Sequence, residues 1–295
     1  MDNSRYTSLV KKASQLRLSA FSIAEGMRTG GFRSFLRGQG VEFTGVRDYL
    51  YGDDIRNIDW NVTARIGKPY IKLHQEDRDF IVFLIVDQSL SMDTGFAAKS
   101  RLETANETAA LMAFAAEQNS SPVGAVFFDG EVRFSSPPKT GRNQIMLLLS
   151  HLDAYNRNRK TGSLLTNSLQ GAYQLLKNRS LVIVISDFRV GGYEKALARL
   201  ATAHDVIAIC ITDISDFELP KAGLLAFFDP ETKARQALAT SSQGFQKDWN
   251  EYGEKRLERW NSLCLKRSVT PLQISTRDDP AAVLSKFFSQ KEKNQ

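Results

Sequence analysis

The 295 residues are 42% hydrophobic and 24% charged, with a formal net charge of +6. That balance fits an ordinary globular protein with a substantial core and excludes disordered and fibrous classes. No apolar stretch approaches the roughly 20 residues of a membrane helix, and Met-Asp-Asn-Ser-Arg-Tyr at the start lacks the apolar centre of a signal peptide. A soluble, cytoplasmic protein is therefore expected. The two cysteines, Cys210 and Cys264, are too few for a disulfide framework and read as buried thiols of a reducing compartment.

The charge is uneven. Residues 1–75 hold 12 Lys and Arg against 7 Asp and Glu, so the excess of +5 sits in the first quarter and the rest is nearly balanced. A basic segment of this kind seeks an acidic protein surface, anionic lipid or nucleic acid. Aromatic residues do not interleave with the basic ones of Arg28–Arg37 in the manner of a nucleic-acid module, so nucleic acid is not the expected partner.

Taken in chain order, residues 6–26 place apolar side chains at helical spacing, and the glycines at 26, 30 and 31 end the run. A dense polar stretch follows from Val41. A strand at about Tyr70–His74 leads into Phe80–Val86, seven apolar residues that end on Asp87. Such a run marks a strand buried on both faces. Beyond it, the patterning predicts helices at about Ala97–Glu117, Asn143–Leu152, Leu165–Lys177, Tyr193–Ala203, Gln243–Lys266 and Pro280–Ser289. Strands are predicted between them at Val123–Phe128, Glu131–Phe134, Leu181–Ser186, Val206–Thr212 and Pro271–Ser275. Asp129-Gly130 reads as a two-residue hairpin turn, and two apolar runs flanking Asp229-Pro-Glu-Thr read as a β-hairpin inserted at about residues 221–240. Strands alternating with helices make a doubly wound, mainly parallel α/β sheet the expected fold. Residues 76–290 would form that domain, with residues 1–75 as an appendage.

Asp87, Ser89 and Ser91 form an Asp-x-Ser-x-Ser pattern just past a buried strand, where open α/β sheets place their ligands. One carboxylate and two hydroxyls at alternate positions supply hard oxygen donors suited to Mg²⁺, with Mn²⁺ or Ca²⁺ as alternatives. The pattern resembles the metal-ion-dependent adhesion site of von Willebrand factor type A domains. The resemblance implies a second acid, matched by Asp187 at the end of Leu181–Asp187. It also implies a hydroxyl from the loop Thr161–Leu169, matched best by Ser163 and next by Thr166.

Glu42-Phe43, Arg47-Asp48-Tyr49, Gly52-Asp53-Asp54, Arg56, Ile58-Asp59-Trp60 and Ala64-Arg65 resemble the signature of the family catalogued as domain of unknown function 58. Leu219-Pro220, Gly223 and Asp229-Pro230-Glu231-Thr232 are similar to its inserted hairpin. The family joins this signature to a von Willebrand type A-like domain, and its members are often paired with MoxR-type AAA+ ATPases. The resemblance therefore implies a chaperone-like or assembly partner.

The signature mixes both charge signs. Arg47, Asp48, Asp53, Asp54, Arg56, Asp59, Trp60 and Arg65 are either a set of paired side chains holding the N-terminal segment to the main domain or a docking surface for a partner. The histidines at 74, 151 and 204 lack zinc-ligand spacing, no Walker-type loop is present, and no nucleophile stands beside a base. The expected function is a non-enzymatic, metal-dependent protein-interaction module. A metal-independent scaffold binding through its basic N-terminal region is the alternative, and a Mg²⁺-dependent phosphohydrolase ranks last.

Overall fold

The computed structural model describes residues 16–28, 42–50, 53–55, 58–75, 80–153, 160–228 and 235–290. Its centre is a six-stranded sheet in the order β10-β7-β6-β3-β4-β5. The strands are β3 (Ile81–Asp87), β4 (Val123–Phe128), β5 (Val132–Lys139), β6 (Ser180–Ser186), β7 (Asp205–Thr212) and β10 (Thr270–Ser275). All neighbours run parallel except β5, which pairs antiparallel with β4 at one edge. This is the doubly wound, Rossmann-like architecture that the alternation of strands and helices implies.

Alternation along the strands divides the core in two. Val82, Leu84 and Val86 face one layer, with α1 (residues 16–28), α3 (Arg101–Gln118), α4 (Arg142–Asp153) and α8 (Pro280–Gln290) packed on it. Phe83 and Ile85 face the other layer, which α5 (Leu165–Leu175), α6 (Glu194–Ala203) and α7 (Gln243–Lys266) cover. Both faces of β3 are thereby buried, which is why its sequence is continuously apolar. Among the described residues no helix is long and apolar enough to cross a membrane.

The predicted first helix is described only from residue 16, and residues 6–15 lie outside the described part. Its Ala20, Ile23, Ala24 and Met27 are buried, and Asn119 Nδ2 donates to the Ala24 carbonyl at 2.9 Å. Gly26 lies so close to Phe288 that an added Cβ would come within 2.9 Å of that side chain. This helix is thus part of the α/β core. The segment after it folds on itself. β1 (Glu42–Asp48) pairs antiparallel with β2 (Tyr70–Gln75), and the short helix α2 (Trp60–Ile66) lies between them.

Two elements depart from expectation. The polar stretch from Val41 contains both β1 and α2, because backbone pairing with β2 and the Asp59 cap supply what apolar periodicity does not. The turn between β4 and β5 spans three residues rather than two, since Phe128 pairs with Val132. The inserted hairpin is present as β8 (Leu224–Phe228) and β9 (Arg235–Ala239), paired antiparallel. Its turn, including Asp229-Pro-Glu-Thr, lies outside the described residues.

Candidate metal centre

β3 leads through α3 to β4 on one side, whereas β6 leads through α6 to β7 on the other. Adjacent strands whose connections diverge open a crevice at their carboxyl ends, the switch point where such sheets bind ligands. Asp87 closes β3 and Asp187 follows β6, so both carboxylates stand at this crevice. Both are buried, with 1% and 3% of their surface exposed.

Each donor is set by local geometry. Asp87 Oδ1 accepts the Ser89 N–H at 2.9 Å, which bends the chain straight after the strand. The Ser89 and Ser91 hydroxyls then lie 3.1 Å apart on the entry to a 3₁₀ turn, Leu90–Asp93, that the fully buried Met92 pins to the core. Ser163 Oγ approaches Asp87 Oδ2 at 3.5 Å from a third loop. Thr166 lies in the first turn of α5, so the hydroxyl that reaches the acid is that of Ser163. The five residues expected to share a site are therefore brought to one end of the sheet.

Several residues that build this site carry no motif. Ser186 Oγ donates to Asp87 Oδ2 at 2.7 Å from the neighbouring strand end. Asp129, expected to be only a turn residue, holds the Ser163 loop. Its Oδ2 accepts Lys160 N–H at 3.2 Å and Arg133 Nε at 2.7 Å, and its carbonyl accepts Leu164 N–H at 2.9 Å. Gly130 is required beside it, because a Cβ there would meet the Thr161 carbonyl oxygen at 2.2 Å.

A second cluster stands behind the acids. Asp216 accepts Arg101 Nη2 at 2.5 Å, also accepts Arg189 Nη2, and has Arg256 Nη2 3.5 Å away. Arg101 is itself buried, and its Nη1 donates to the Thr94 carbonyl at 3.1 Å, so it ties the Ser89–Thr94 loop to Asp216. Arg256 Nη1 donates to the Asp187 carbonyl at 3.2 Å. It reaches there because α7 passes close by Gly253, where a Cβ would sit 2.2 Å from the Asp216 carbonyl. Asp213 clamps the same end, accepting Phe96 N–H at 3.0 Å and the Thr276 hydroxyl at 2.6 Å. Burial opposes the Asp213 charge, but the Thr276 and Ser215 hydroxyls and two backbone N–H groups outweigh it and hold the carboxyl well below the usual range.

Asp87 is in the opposite condition. Burial pushes the Asp87 carboxyl up to about 7, and the Asp187 charge adds to this, against the lowering effect of its bonds to Ser89 and Ser186. Asp187 Oδ1 accepts Arg189 N–H at 3.1 Å. Its Oδ2 is buried and accepts no hydrogen bond, with Arg189 Nε 3.6 Å away. Two buried carboxylates, one with an unsatisfied oxygen, ringed by three serine hydroxyls, fit a hard divalent cation.

Among the described signature residues, one pair bonds side chain to side chain and others bond within the same segment. Arg47 grips Asp53 through two bonds of 2.7 and 2.8 Å, and the Tyr70 hydroxyl bonds to Asp48, which raises the Tyr70 pKa. Asp59 is buried and caps α2 by accepting Asn61 and Val62 N–H. These contacts lie within the segment itself. Trp60 is 69% exposed, and Leu50, Ile55 and Ile66 are also exposed. Asp48, Asp54 and Arg65 face solvent, and Arg56 lies outside the described residues.

Fold and site together define a doubly wound α/β protein whose switch-point crevice gathers two acids and three hydroxyls. The chain belongs to the family described as protein of unknown function DUF58, whose model matches residues 45–259. Uncharacterized proteins of Mycobacterium bovis and Mycobacterium tuberculosis are 29% identical to it over 220 residues, covering 74% of this chain and 69% of theirs. The crystal structure of an aerotolerance-related membrane protein from Bacteroides fragilis is similar at a TM-score of 0.47 and 16% identity, over 73% of this chain and all of that one. The Deinococcus radiodurans RO (RSR) protein gives a TM-score of 0.33 at 15% identity, over 72% of this chain and 35% of its own.

Proposed function

We propose that this chain is a non-enzymatic, metal-dependent protein-interaction module. The observation that carries the reading is the unsatisfied, buried Asp187 Oδ2 at the same end of the sheet as Asp87, Ser89, Ser91 and Ser163. Asp87 and Asp187 would hold Mg²⁺, with Ser89, Ser91 and Ser163 completing its shell on the protein side. With only two carboxylates in the set, a bound Mg²⁺ would stay electrophilic and accept one more anionic oxygen from outside. Ser186 and the Ser89 N–H orient Asp87 for this, while Arg101 and Asp129 hold the two serine-bearing loops in register.

A non-catalytic role is supported by the state of the candidate nucleophiles. Burial pushes the Cys210 and Cys264 thiols up to about 12, which keeps them protonated. The partner would present an acidic side chain. By resemblance it is a MoxR-type AAA+ ATPase, with which the chain would act in chaperone-like assembly in the cytoplasm. The metal-independent scaffold remains the second reading, favoured by the exposed Trp60, Leu50, Ile55 and Ile66 of the signature segment.

Calorimetric titration with Mg²⁺ and Mn²⁺ tests the first reading. Wild type should bind and Asp87→Ala should not. A partner captured in Mg²⁺ should be released by chelator, and capture indifferent to chelator and to Asp87→Ala would favour the scaffold.

A further inference from the structure

Three guanidinium groups surround Asp216, and they are not equivalent. The Arg101 side chain is 1% exposed and that of Arg256 is 22% exposed, whereas that of Arg189 is 43% exposed. Arg189 also spans two acids. One end of its guanidinium sits on Asp216, and Nε stands 3.6 Å from the Asp187 oxygen that has no hydrogen-bond donor. That separation is an ion-pair contact too long for a hydrogen bond. Arg189 thus lends positive charge to Asp187 without satisfying it.

We propose that Arg189 is the chain's own stand-in for the cation at Asp187, swinging from that carboxylate into solvent when a divalent cation binds. The inference rests on the metal reading given above. A guanidinium and a divalent cation compete for the same oxygen, by charge and by space. Departure of Arg189 costs little elsewhere, because Asp216 keeps Arg101 at 2.5 Å and Arg256 at 3.5 Å and is not left as an unpaired buried charge. Its backbone anchor also survives, since the Arg189 N–H bonds to Asp187 Oδ1 whatever the side chain does. The released arm would stand at the crevice mouth beside an electrophilic ion, where an incoming carboxylate meets both. Cation occupancy and display of the arm are then one event, and the crevice attracts an acidic partner only when loaded.

Two measurements test this. In the first, wild type is labelled with the arginine-selective reagent phenylglyoxal, with Mg²⁺ or with chelator, and modification is read by mass spectrometry. Arg189 should react several-fold faster in Mg²⁺, while buried Arg101 stays protected in both. In the second, calorimetry compares Mg²⁺ binding by wild type, Arg189→Gln and Arg189→Lys. Arg189→Gln should bind about tenfold more tightly, as expected when a like charge is removed from beside a cation in a partly buried site. Arg189→Lys, which keeps the charge, should bind close to wild type. Equal or slower labelling in Mg²⁺, or no gain in affinity by Arg189→Gln, overturns the inference while leaving the metal reading in place. Absence of Mg²⁺ binding by wild type overturns both. Should Arg189→Gln fail to fold, the labelling of wild type decides alone.

Discussion

Replacing Asp87 by Asn should stabilise the metal-free protein at alkaline pH and do progressively less as the pH falls. In the folded chain burial and the neighbouring Asp187 raise the Asp87 carboxyl to about 7, whereas an unfolded Asp titrates near 3.9. An acid whose folded value is raised binds its proton more tightly when folded, so stability falls as pH rises from about 4 to about 7. The full penalty above pH 7 is about 4 kcal/mol, and about 3 kcal/mol of it develops between pH 5 and 8. Asn keeps the acceptor for Ser89 N–H and offers its amide to Ser186 Oγ, so hydrogen-bond changes shift the comparison by a constant and leave its pH slope intact. The assay is urea denaturation in chelator at pH 5 and pH 8. With an m-value of about 3 kcal/mol/M, the midpoint of Asp87→Asn relative to wild type should rise by about 1 M between the two pH values. A midpoint difference that is the same at both pH values would refute the claim that burial and the Asp187 charge raise the Asp87 carboxyl.

Ser163→Ala should weaken Mg²⁺ binding about tenfold, the order expected for losing one oxygen donor, whereas Thr166→Ala should leave it unchanged; calorimetry of both variants separates the two candidates. Arg101→Met removes the most buried of the three guanidiniums around Asp216 and, with Arg189 and Arg256 still in place, should cost about 1–3 kcal/mol, seen as a lowered midpoint in thermal or urea unfolding. Gly253→Ala would place a Cβ 2.2 Å from the Asp216 carbonyl and should cost at least about 1–3 kcal/mol as the backbone shifts. An unchanged midpoint for it would show that α7 does not approach the Asp216 turn so closely.

The sheet could be read from the chain because its central strands, β3 and β6, are buried on both faces and advertise it as unbroken apolar runs. The acids at their ends were equally visible, since a polar residue that breaks such a run marks the end of the strand. The residues behind the site were not legible. Arg101 opens a helix with a Ser100–Glu103 capping box, and in isolation it looks like a solvated terminus. Its partner Asp216 lies 115 residues away, and only the folded chain joins them. Asp129 and Ser186 were hidden for the same reason, as their work is to accept or donate across neighbouring loops. β1 escaped because Glu42–Asp48 lacks the alternation of a half-buried strand, and its pairing with β2 is visible only in the folded chain.

Both edge strands of the main sheet carry proline. β5 contains Pro137 and Pro138, and β10 contains Pro271. Proline offers no N–H to a further strand, so each edge is interrupted as a template for extended peptide. Recognition by strand addition, a common way for sheet proteins to seize a client segment, is thereby disfavoured on both flanks. What is left for contact is the loop-bearing end of the sheet and the helical faces, and contact there reads side chains rather than a generic backbone. Any selectivity of contact would then follow from the sheet's flanks as well as from its crevice.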